Sequence, residues 1–181
     1  MNVVLLGYRG SGKTSAGRVL AERTGRAFVD ADVELVRRAG RSIREIFFTD
    51  GEPDFRDLES AVLLDLLTMT NTVIALGGGV IVRETNRDKL LAADAARIYL
   101  RADAATLYRR IGADPATADN RPALTALGGS VREIETLLAA REPLYRSVAT
   151  HELDVSGLCV DEVAAGLVKM IEPQMNADER G

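Results

Sequence analysis

Hydrophobic positions along the chain fall into two patterns, short continuous runs and stretches with helical spacing. The continuous runs predict five buried strands, at residues 3–6, 27–29, 73–76, 98–100 and 153–155. Between them, apolar residues recur every three to four positions, which is typical of one face of an amphipathic helix. Strands that alternate with helices favour an α/β fold in which helices cover both faces of a parallel sheet.

The helical stretches and the breaks between them predict a single domain over residues 1–172. Helices are expected at about 15–23, 32–39, 53–69, 83–92, 103–111, 131–140 and 161–171, and the last-but-one could continue past Pro143. A capping-box pattern predicts a further short helix that starts near Ser42 and stops before the turn signal Asp50-Gly51. Residues 112–121 are polar and indicate a loop, and residues 173–181 are expected to form a disordered tail.

A glycine-rich segment follows the first strand directly. Residues 7–14 read Gly-Tyr-Arg-Gly-Ser-Gly-Lys-Thr and fit the P-loop pattern G-x-x-x-x-G-K-[ST], between a strand and a helix as that motif requires. Its glycines let backbone N–H groups turn toward a phosphate, and the following helix adds partial positive charge. Lys13 would reach the terminal phosphates and the Thr14 hydroxyl would face Mg²⁺. A chance glycine turn is disfavoured, because strand, lysine and threonine are all in place.

Two aspartates follow the second strand. The third strand ends in Gly77-Gly78-Gly79 and supplies no carboxylate, so Asp30 is the best candidate for Mg²⁺. Asp32 lies two positions on, and in an extended segment such positions point the same way, so Asp32 could face a substrate hydroxyl. Helix capping is the other interpretation of Asp32.

Ligands of such sheets bind at the carboxyl ends of the strands, so residues 7–14, 30–32 and 77–79 should converge. The three glycines could expose main chain to a ligand or could form a plain turn.

Three arginines are ambiguous from spacing alone. Arg56, with Glu59 three residues later, could hold a carboxylate in a fork, but spacing favours an ordinary exposed ion pair. Arg141 carries no signal of its own. Arg121 lies in the polar loop, where it could close over a transferring phosphate or remain solvated.

Composition limits the function classes. The chain of 181 residues is 46% hydrophobic and 28% charged, with a net charge of −4, so we expect no general attraction to nucleic acids or anionic membranes. The single cysteine, Cys159, excludes an internal disulfide framework and a cysteine-rich zinc site, and we expect it to pack as a small apolar residue. No apolar run approaches the about 20 residues of a membrane span. The first strand begins at once, so we predict no signal peptide and a cytoplasmic location.

Many protein families share the P-loop, but the combination of motifs along this chain restricts the family much further. Residues 7–14 are followed by Asp-Ala-Asp at 30–32, Gly-Arg-Ser-Ile at 40–43, Phe-Arg at 55–56, the triple glycine, Asn-Arg-Pro at 120–122 and Arg-Glu-Pro-Leu-Tyr at 141–145. This series resembles the shikimate kinase family over roughly residues 1–150. The resemblance implies a monomeric protein. It also implies a P-loop NTPase fold of the nucleoside-monophosphate-kinase type, a three-layer α/β/α sandwich with a five-stranded parallel sheet. It implies transfer of the ATP γ-phosphoryl to the 3-hydroxyl of shikimate, with Mg²⁺, in chorismate and aromatic amino-acid biosynthesis.

The resemblance also implies residue roles. It implies substrate-binding helices over about 32–61 and a lid over about 112–124, although residues 110–121 are longer and less basic than in many members. It overturns the ion-pair interpretation of Arg56. The implied catalytic residues are Lys13, Asp32 and Arg121; those for ATP are Gly10, Ser11, Gly12, Lys13, Thr14, Ser15, Arg110 and Arg121; those for shikimate are Asp32, Arg56, Gly78 and Arg141, with an apolar wall of Ile43, Phe47 and Phe55; those for the metal are Thr14 and Asp30.

Two alternatives remain open at this point. Another small-molecule P-loop kinase, such as a gluconate kinase, would also need a carboxylate clamp, although the phenylalanines suit a cyclohexene ring better than an open chain. A non-catalytic ATP-binding module is disfavoured by the presence of both Asp30 and Asp32.

Overall fold

The computed structural model describes residues 1–113 and 130–178, with side chains described as far as Ile171. Its sheet has five parallel strands: β1 (Asn2–Leu6), β2 (Ala27–Asp30), β3 (Thr72–Ala75), β4 (Ala95–Arg101) and β5 (His151–Asp154). Their order is β2-β3-β1-β4-β5. The predicted fold class is confirmed. Because β1 is central, the glycine-rich segment after it starts at the middle of the sheet edge.

Helices cover both faces of this sheet. The described residues form eight α-helices and one short 3₁₀ turn, Val80–Val82. The helices are α1 (Lys13–Thr24), α2 (Ala31–Ala39), α3 (Ile43–Thr49), α4 (Gly51–Leu67), α5 (Glu84–Ala92), α6 (Ala104–Ala113), α7 (Val131–Val148) and α8 (Val160–Asp178). None of the described helices is long and apolar enough to cross a bilayer.

The predicted start of α3 is confirmed in detail. The Glu45 N–H donates to Ser42 Oγ at 3.2 Å, and the Ser42 N–H donates to Glu45 Oε2 at 2.7 Å, which completes the capping box. The turn signal at Asp50-Gly51 becomes a direct junction, because α4 begins at Gly51, whose φ of 87° is a conformation that glycine adopts readily. Because no loop separates the two helices, α3 and α4 pack against each other.

Several element boundaries differ from the sequence prediction. β4 spans seven residues rather than three, because Ala95 to Arg97 pair with Asn2 to Val4 of β1 despite their weak strand preference. α2 begins at Ala31, one residue before the predicted start. α7 contains Pro143 and continues to Val148, and α8 continues beyond the predicted end at Ile171. Most of the predicted lid, including Arg121, lies outside the described residues.

The core consists of two clusters, one on each face of the sheet. Val4 and Leu6 of β1 pack with α2, α3, α4 and α5, whereas Val3 and Leu5 pack with α1, α6 and α8. Helix α7 contributes to both clusters, with Tyr145 in the first and Ile134 in the second. Burial on both faces explains why β1 is a continuous apolar run rather than an alternating one.

Candidate active site

The carboxyl ends of the central strands open onto a cleft of about 900 Å³. The convergence predicted for residues 7–14, 30–32 and 77–79 is confirmed, since all three segments contribute to its lining. Arg110 and residues 158–160 also line the cleft. A pocket of this volume suits a small-molecule ligand.

The P-loop holds its own lysine. Lys13 is buried, and its Nζ donates to the carbonyl oxygens of Gly7 at 2.8 Å and Tyr8 at 2.9 Å. Gly10 and Gly12 have φ values of 82° and 90°, which favour glycine strongly. Lys13 is also the first residue of α1, so the positive end of the helix faces the cleft. The arrangement presents backbone N–H groups and one fixed ammonium to the same space, as anion binding requires.

Asp30 connects the P-loop to α2. Its Oδ2 accepts a hydrogen bond from Thr14 Oγ1 at 2.6 Å, and its Oδ1 accepts from the N–H groups of Asp32 and Val33 at 3.0 and 3.3 Å. The helix-capping role considered for Asp32 therefore belongs to Asp30.

The prediction that Asp32 lies in an extended segment is wrong, because α2 begins at Ala31 and Asp32 lies in its first turn. Both carboxylates nevertheless line the cleft, since the Cβ of Asp32 projects from the first turn of a helix that starts at its rim. The predicted placement holds for a different geometric reason.

Each residue of the triple glycine lies close to a different neighbouring group, with little room for a Cβ atom between them. A Cβ on Gly77 would lie 2.9 Å from both Asp32 Oδ1 and Glu59 Oε1, and a Cβ on Gly78 would lie 3.3 Å from the P-loop atoms Arg9 N and Gly7 O. A Cβ on Gly79 would collide with the guanidinium of Arg56. The glycines thus make room for site side chains and P-loop backbone, which neither a plain turn nor ligand access alone explains.

A smaller cavity adjoins the cleft at Arg9, Ile43 and Gly78, which line both. It contains the predicted substrate residues other than Asp32, which lines the larger cleft; its lining is Tyr8, Arg9, Ile43, Phe47, Phe55, Arg56, Glu59, Gly78, Gly79 and Arg141. The rings of Phe47 and Phe55 lie with their centroids 4.5 Å apart and form the apolar side of this cavity. The structure therefore brings together the residues that the resemblance assigns to shikimate, with Asp32 in the adjoining cleft.

Arg56 is buried, so the prediction of an exposed ion pair, which its helical spacing favoured, is wrong. Its Nη1 donates to Glu59 Oε2 at 2.7 Å, and its Nε and Nη2 donate to Glu52 Oε1 at 3.2 and 3.1 Å. Burial lowers the pKa of Arg56, but Glu59 and Glu52 together outweigh burial and raise the pKa above its usual value. The guanidinium therefore remains charged inside the protein.

Arg141 lines the same cavity. Its Cζ is 5.7 Å from the centroid of the Tyr8 ring, a distance at which a cation and an aromatic face attract each other. The Tyr145 hydroxyl, one helical turn further along α7, donates to the carbonyl oxygen of Gly78. Sequence reasoning assigned no role to Tyr8, Arg9 or Tyr145. Tyr8 and Arg9 lie within the P-loop motif, and the spacing of Arg141 and Tyr145 on one helix face could have linked Tyr145 to the site.

Arg110 also lines the large cleft. Its Nη2 donates to the carbonyl oxygens of Val155 and Leu158, each at 3.0 Å, which fixes it beside the loop between β5 and α8. Cys159 in this loop is exposed and lines the cleft, so its predicted packing role is wrong. The register between Arg110 and Arg121 falls outside the described residues.

Comparison with known proteins identifies the family. The shikimate kinase family model matches residues 9–172. The chain belongs to the shikimate kinase family. It is 38% identical to a shikimate kinase from Rhodopirellula baltica over 168 residues, which is 93% of this chain and 89% of the relative.

Solved structures agree with that assignment. A shikimate kinase from Acinetobacter baumannii in complex with shikimate superposes with a TM-score of 0.87, at 34% identity, over 96% of this chain and 93% of its own. A gluconokinase from Sinorhizobium meliloti has a TM-score of 0.57 at 19% identity, over 97% of this chain and 96% of its own. The second likeness shows a shared fold alone. The family resemblance inferred from the motifs is confirmed, and with it an ATP-dependent kinase.

Proposed function

We propose that the protein transfers the γ-phosphoryl group of ATP to the 3-hydroxyl of shikimate, giving shikimate 3-phosphate and ADP. One observation carries the proposal beyond family membership. The phosphate-binding cleft and the cavity that contains Arg56 and Arg141 adjoin at Gly78, so a donor phosphate and an acidic acceptor can meet there.

At the donor end, the P-loop N–H groups, the α1 N-terminus and Lys13 would hold the terminal phosphates. The Thr14 hydroxyl and the Asp30 carboxylate are hard oxygen donors side by side at the rim of the cleft, a set that suits Mg²⁺. Among the described residues no group of three or more acidic, histidine or cysteine side chains could hold a metal, so phosphate oxygens and water would complete its shell. When bound, Mg²⁺ would neutralise charge on the phosphates.

At the acceptor end, Arg56 and Arg141 would hold the substrate carboxylate, and Gly78 would contact the substrate. The apolar wall formed by Ile43, Phe47 and Phe55 would pack against the ring. Asp32 would orient the attacking hydroxyl and accept its proton, which need not happen early because the transition state is loose. Arg121 from the lid would stabilise the transferring group, and Arg110 would flank the adenine. These roles for Arg121 and Arg110, a monomeric state and a cytoplasmic location are proposed from the family resemblance.

A gluconate kinase is the second candidate, because its substrate is also a polyhydroxy acid. The adjacent phenylalanines Phe47 and Phe55 favour the ring-shaped acceptor, since an open chain of hydroxyl groups would lose hydrogen bonds to water against them. A binding-only module is disfavoured, because Asp32 and Asp30 both line the cleft beside Lys13.

A coupled ADP-release assay tests the proposal. We expect ADP release to depend on shikimate and on Mg²⁺, with gluconate giving no more than the rate without acceptor. Equal stimulation by gluconate would favour the second candidate. ATP binding with no release on addition of shikimate would contradict the proposed activity.

A further inference from the structure

Tyr145 occupies a central place between two groups of the acceptor cavity. Its side chain is fully buried on α7, four residues after Arg141, and its hydroxyl donates to the carbonyl oxygen of Gly78. Gly78 lies 67 residues earlier in the chain, in the loop that follows β3. One hydrogen bond therefore joins the helix that carries Arg141 to the loop that separates the two cavities.

Arg141 faces the same hydroxyl. Burial raises the pKa of Tyr145, and the positive charge of Arg141 acts in the opposite direction. A phenol can accept one hydrogen bond while it donates another, and a guanidinium can only donate. The Tyr145 hydrogen is directed to the Gly78 carbonyl, and its oxygen can accept a hydrogen bond from Arg141.

The ring of Tyr145 is fixed by its packing. It stacks on Tyr99 of β4, with centroids 4.8 Å apart and planes inclined by 15°, and both side chains are fully buried. A Tyr side chain has only two rotatable torsions before the ring, so this packing leaves its hydroxyl little freedom. The hydroxyl of Tyr99 differs, because it has no hydrogen-bond partner among the described residues.

We infer that Tyr145 is a positioning residue for the acceptor, which sets Arg141 and the Gly78 peptide relative to each other through its hydroxyl. The inference rests on the proposed function. A peptide group is planar, so the bond that holds the Gly78 carbonyl also sets the direction of the Gly79 N–H. Gly79 lies against the guanidinium of Arg56, so the bond reaches both arginines of the proposed carboxylate clamp.

The test compares two buried tyrosines that differ in one hydrogen bond. Tyr145→Phe removes the hydroxyl and keeps the stacked ring, and Tyr99→Phe does the same to its neighbour. We expect Tyr145→Phe to raise the KM for shikimate about five- to tenfold, as the loss of one hydrogen bond implies, with the KM for ATP changed less than about twofold. Tyr99→Phe should leave both values unchanged.

A double-mutant cycle shows whether the hydroxyl acts through Arg141. In an Arg141→Ala background, Tyr145→Phe should raise the KM for shikimate by much less than in the wild type, because its coupled partner is absent. Additive effects in the cycle would overturn the inference, as would an unchanged KM for shikimate, or parallel rises for ATP and shikimate in Tyr145→Phe.

The wild-type protein in the same assay separates the two proposals. Wild type that releases ADP with shikimate, beside an unaffected Tyr145→Phe, rejects the positioning role alone. Wild type without shikimate-dependent release rejects the proposed function and the positioning role together.

Discussion

At the scale of single residues, the cations of the site are engaged by the protein itself. Lys13 donates to two P-loop carbonyls, and Arg56 donates to Glu59 and Glu52. A buried cation without such partners would be costly, and charges fixed in advance need little rearrangement when a ligand binds. The site is thus assembled by its own hydrogen bonds, and its substitutions should affect one ligand rather than the whole fold.

Arg56→Ala tests the proposed carboxylate anchor. Loss of a buried, charge-assisted contact should raise the KM for shikimate by about 30-fold or more, while the KM for ATP changes less than about twofold. Steady-state kinetics with each substrate varied in turn provide the measurement. Arg83→Ala is the matched control. Arg83 forms an ion pair at 2.6 Å with Asp57, which lies on α4 next to Arg56, and Arg83 lines neither cavity. Unchanged saturation by shikimate would show that the anchor is misassigned.

Gly77→Ala tests the close approach at the triple glycine. The new methyl group would lie 2.9 Å from Asp32 Oδ1 and Glu59 Oε1, so both carboxylates must move. We expect kcat/KM for shikimate to fall at least about tenfold, because small displacements of orienting groups are costly in catalysis. Gly166→Ala in α8 is the control, because its methyl group would meet only the tip of Leu153. Equal kinetics for the two variants would show that the site does not need the space beside Gly77.

Whether the role of a single residue can be predicted depends on how far along the chain its partners lie. Lys13 and Thr14 follow from a local motif. Arg56 required the resemblance, because helical spacing is the same for a buried and an exposed ion pair. The hydrogen bond of Tyr145 could not be predicted from local patterns, since its partner Gly78 is brought to it only by the packing of α7 against the sheet.

At the scale of elements, the junction of β2 and α2 combines structure with chemistry. Asp30 ends the strand, caps the helix and holds the Thr14 hydroxyl. Because one side chain does all three, a helix cap and a proposed metal site share the same carboxylate. The two contributions can be separated by a substitution that keeps the shape and removes the charge.

Asp30→Asn should retain the cap and lose the Mg²⁺-dependent activity, because asparagine caps helices about as well as aspartate. Asp30→Ala should lose the activity and also about 1 kcal/mol of unfolding free energy. Urea unfolding and the ADP-release assay measure the two effects. Ser42→Ala, which removes the cap of α3, serves as the stability reference. Full activity in Asp30→Asn would contradict the proposed metal role.

Hydrophobic spacing predicted the strands and the α-helices but not all of their ends. The extra length of β4 depends on pairing with β1, from Asn2 opposite Ala95 to Leu6 opposite Tyr99. The start of α2 depends on the Asp30 cap, which a scan for apolar periodicity does not detect. Element ends are decided by partners from other parts of the chain, and these are invisible in a local window.

At the scale of the whole molecule, the sheet separates two cores. Ile74 of β3 belongs to the cluster with α2 to α5, and Ile98 of β4 to the cluster with α1, α6 and α8. The alternation of strands and helices predicts two covered faces. It does not predict the order β2-β3-β1-β4-β5, because nothing local specifies which strands are neighbours.

Truncation of one residue in each core tests their independence. Ile74→Ala and Ile98→Ala should each lower the free energy of unfolding by about 2–5 kcal/mol, since both side chains are fully buried. The double variant should equal the sum within about 0.5 kcal/mol if the cores do not share contacts. Chemical denaturation supplies all three values. A large departure from the sum would mean that the two faces are coupled, with α7 as the element common to both.

The triple glycine has a consequence for redesign of the acceptor. Its three residues touch the Asp32–Glu59 carboxylates, the P-loop backbone and Arg56 in turn, so they keep the donor and acceptor halves in register. Adding or deleting one glycine would shift each residue onto the wrong neighbour, although every charged group of both halves would be intact. A library for new acceptors should therefore keep residues 77–79 fixed and vary the apolar side of the cavity, at Ile43 and Phe47, where a change in shape leaves that register alone.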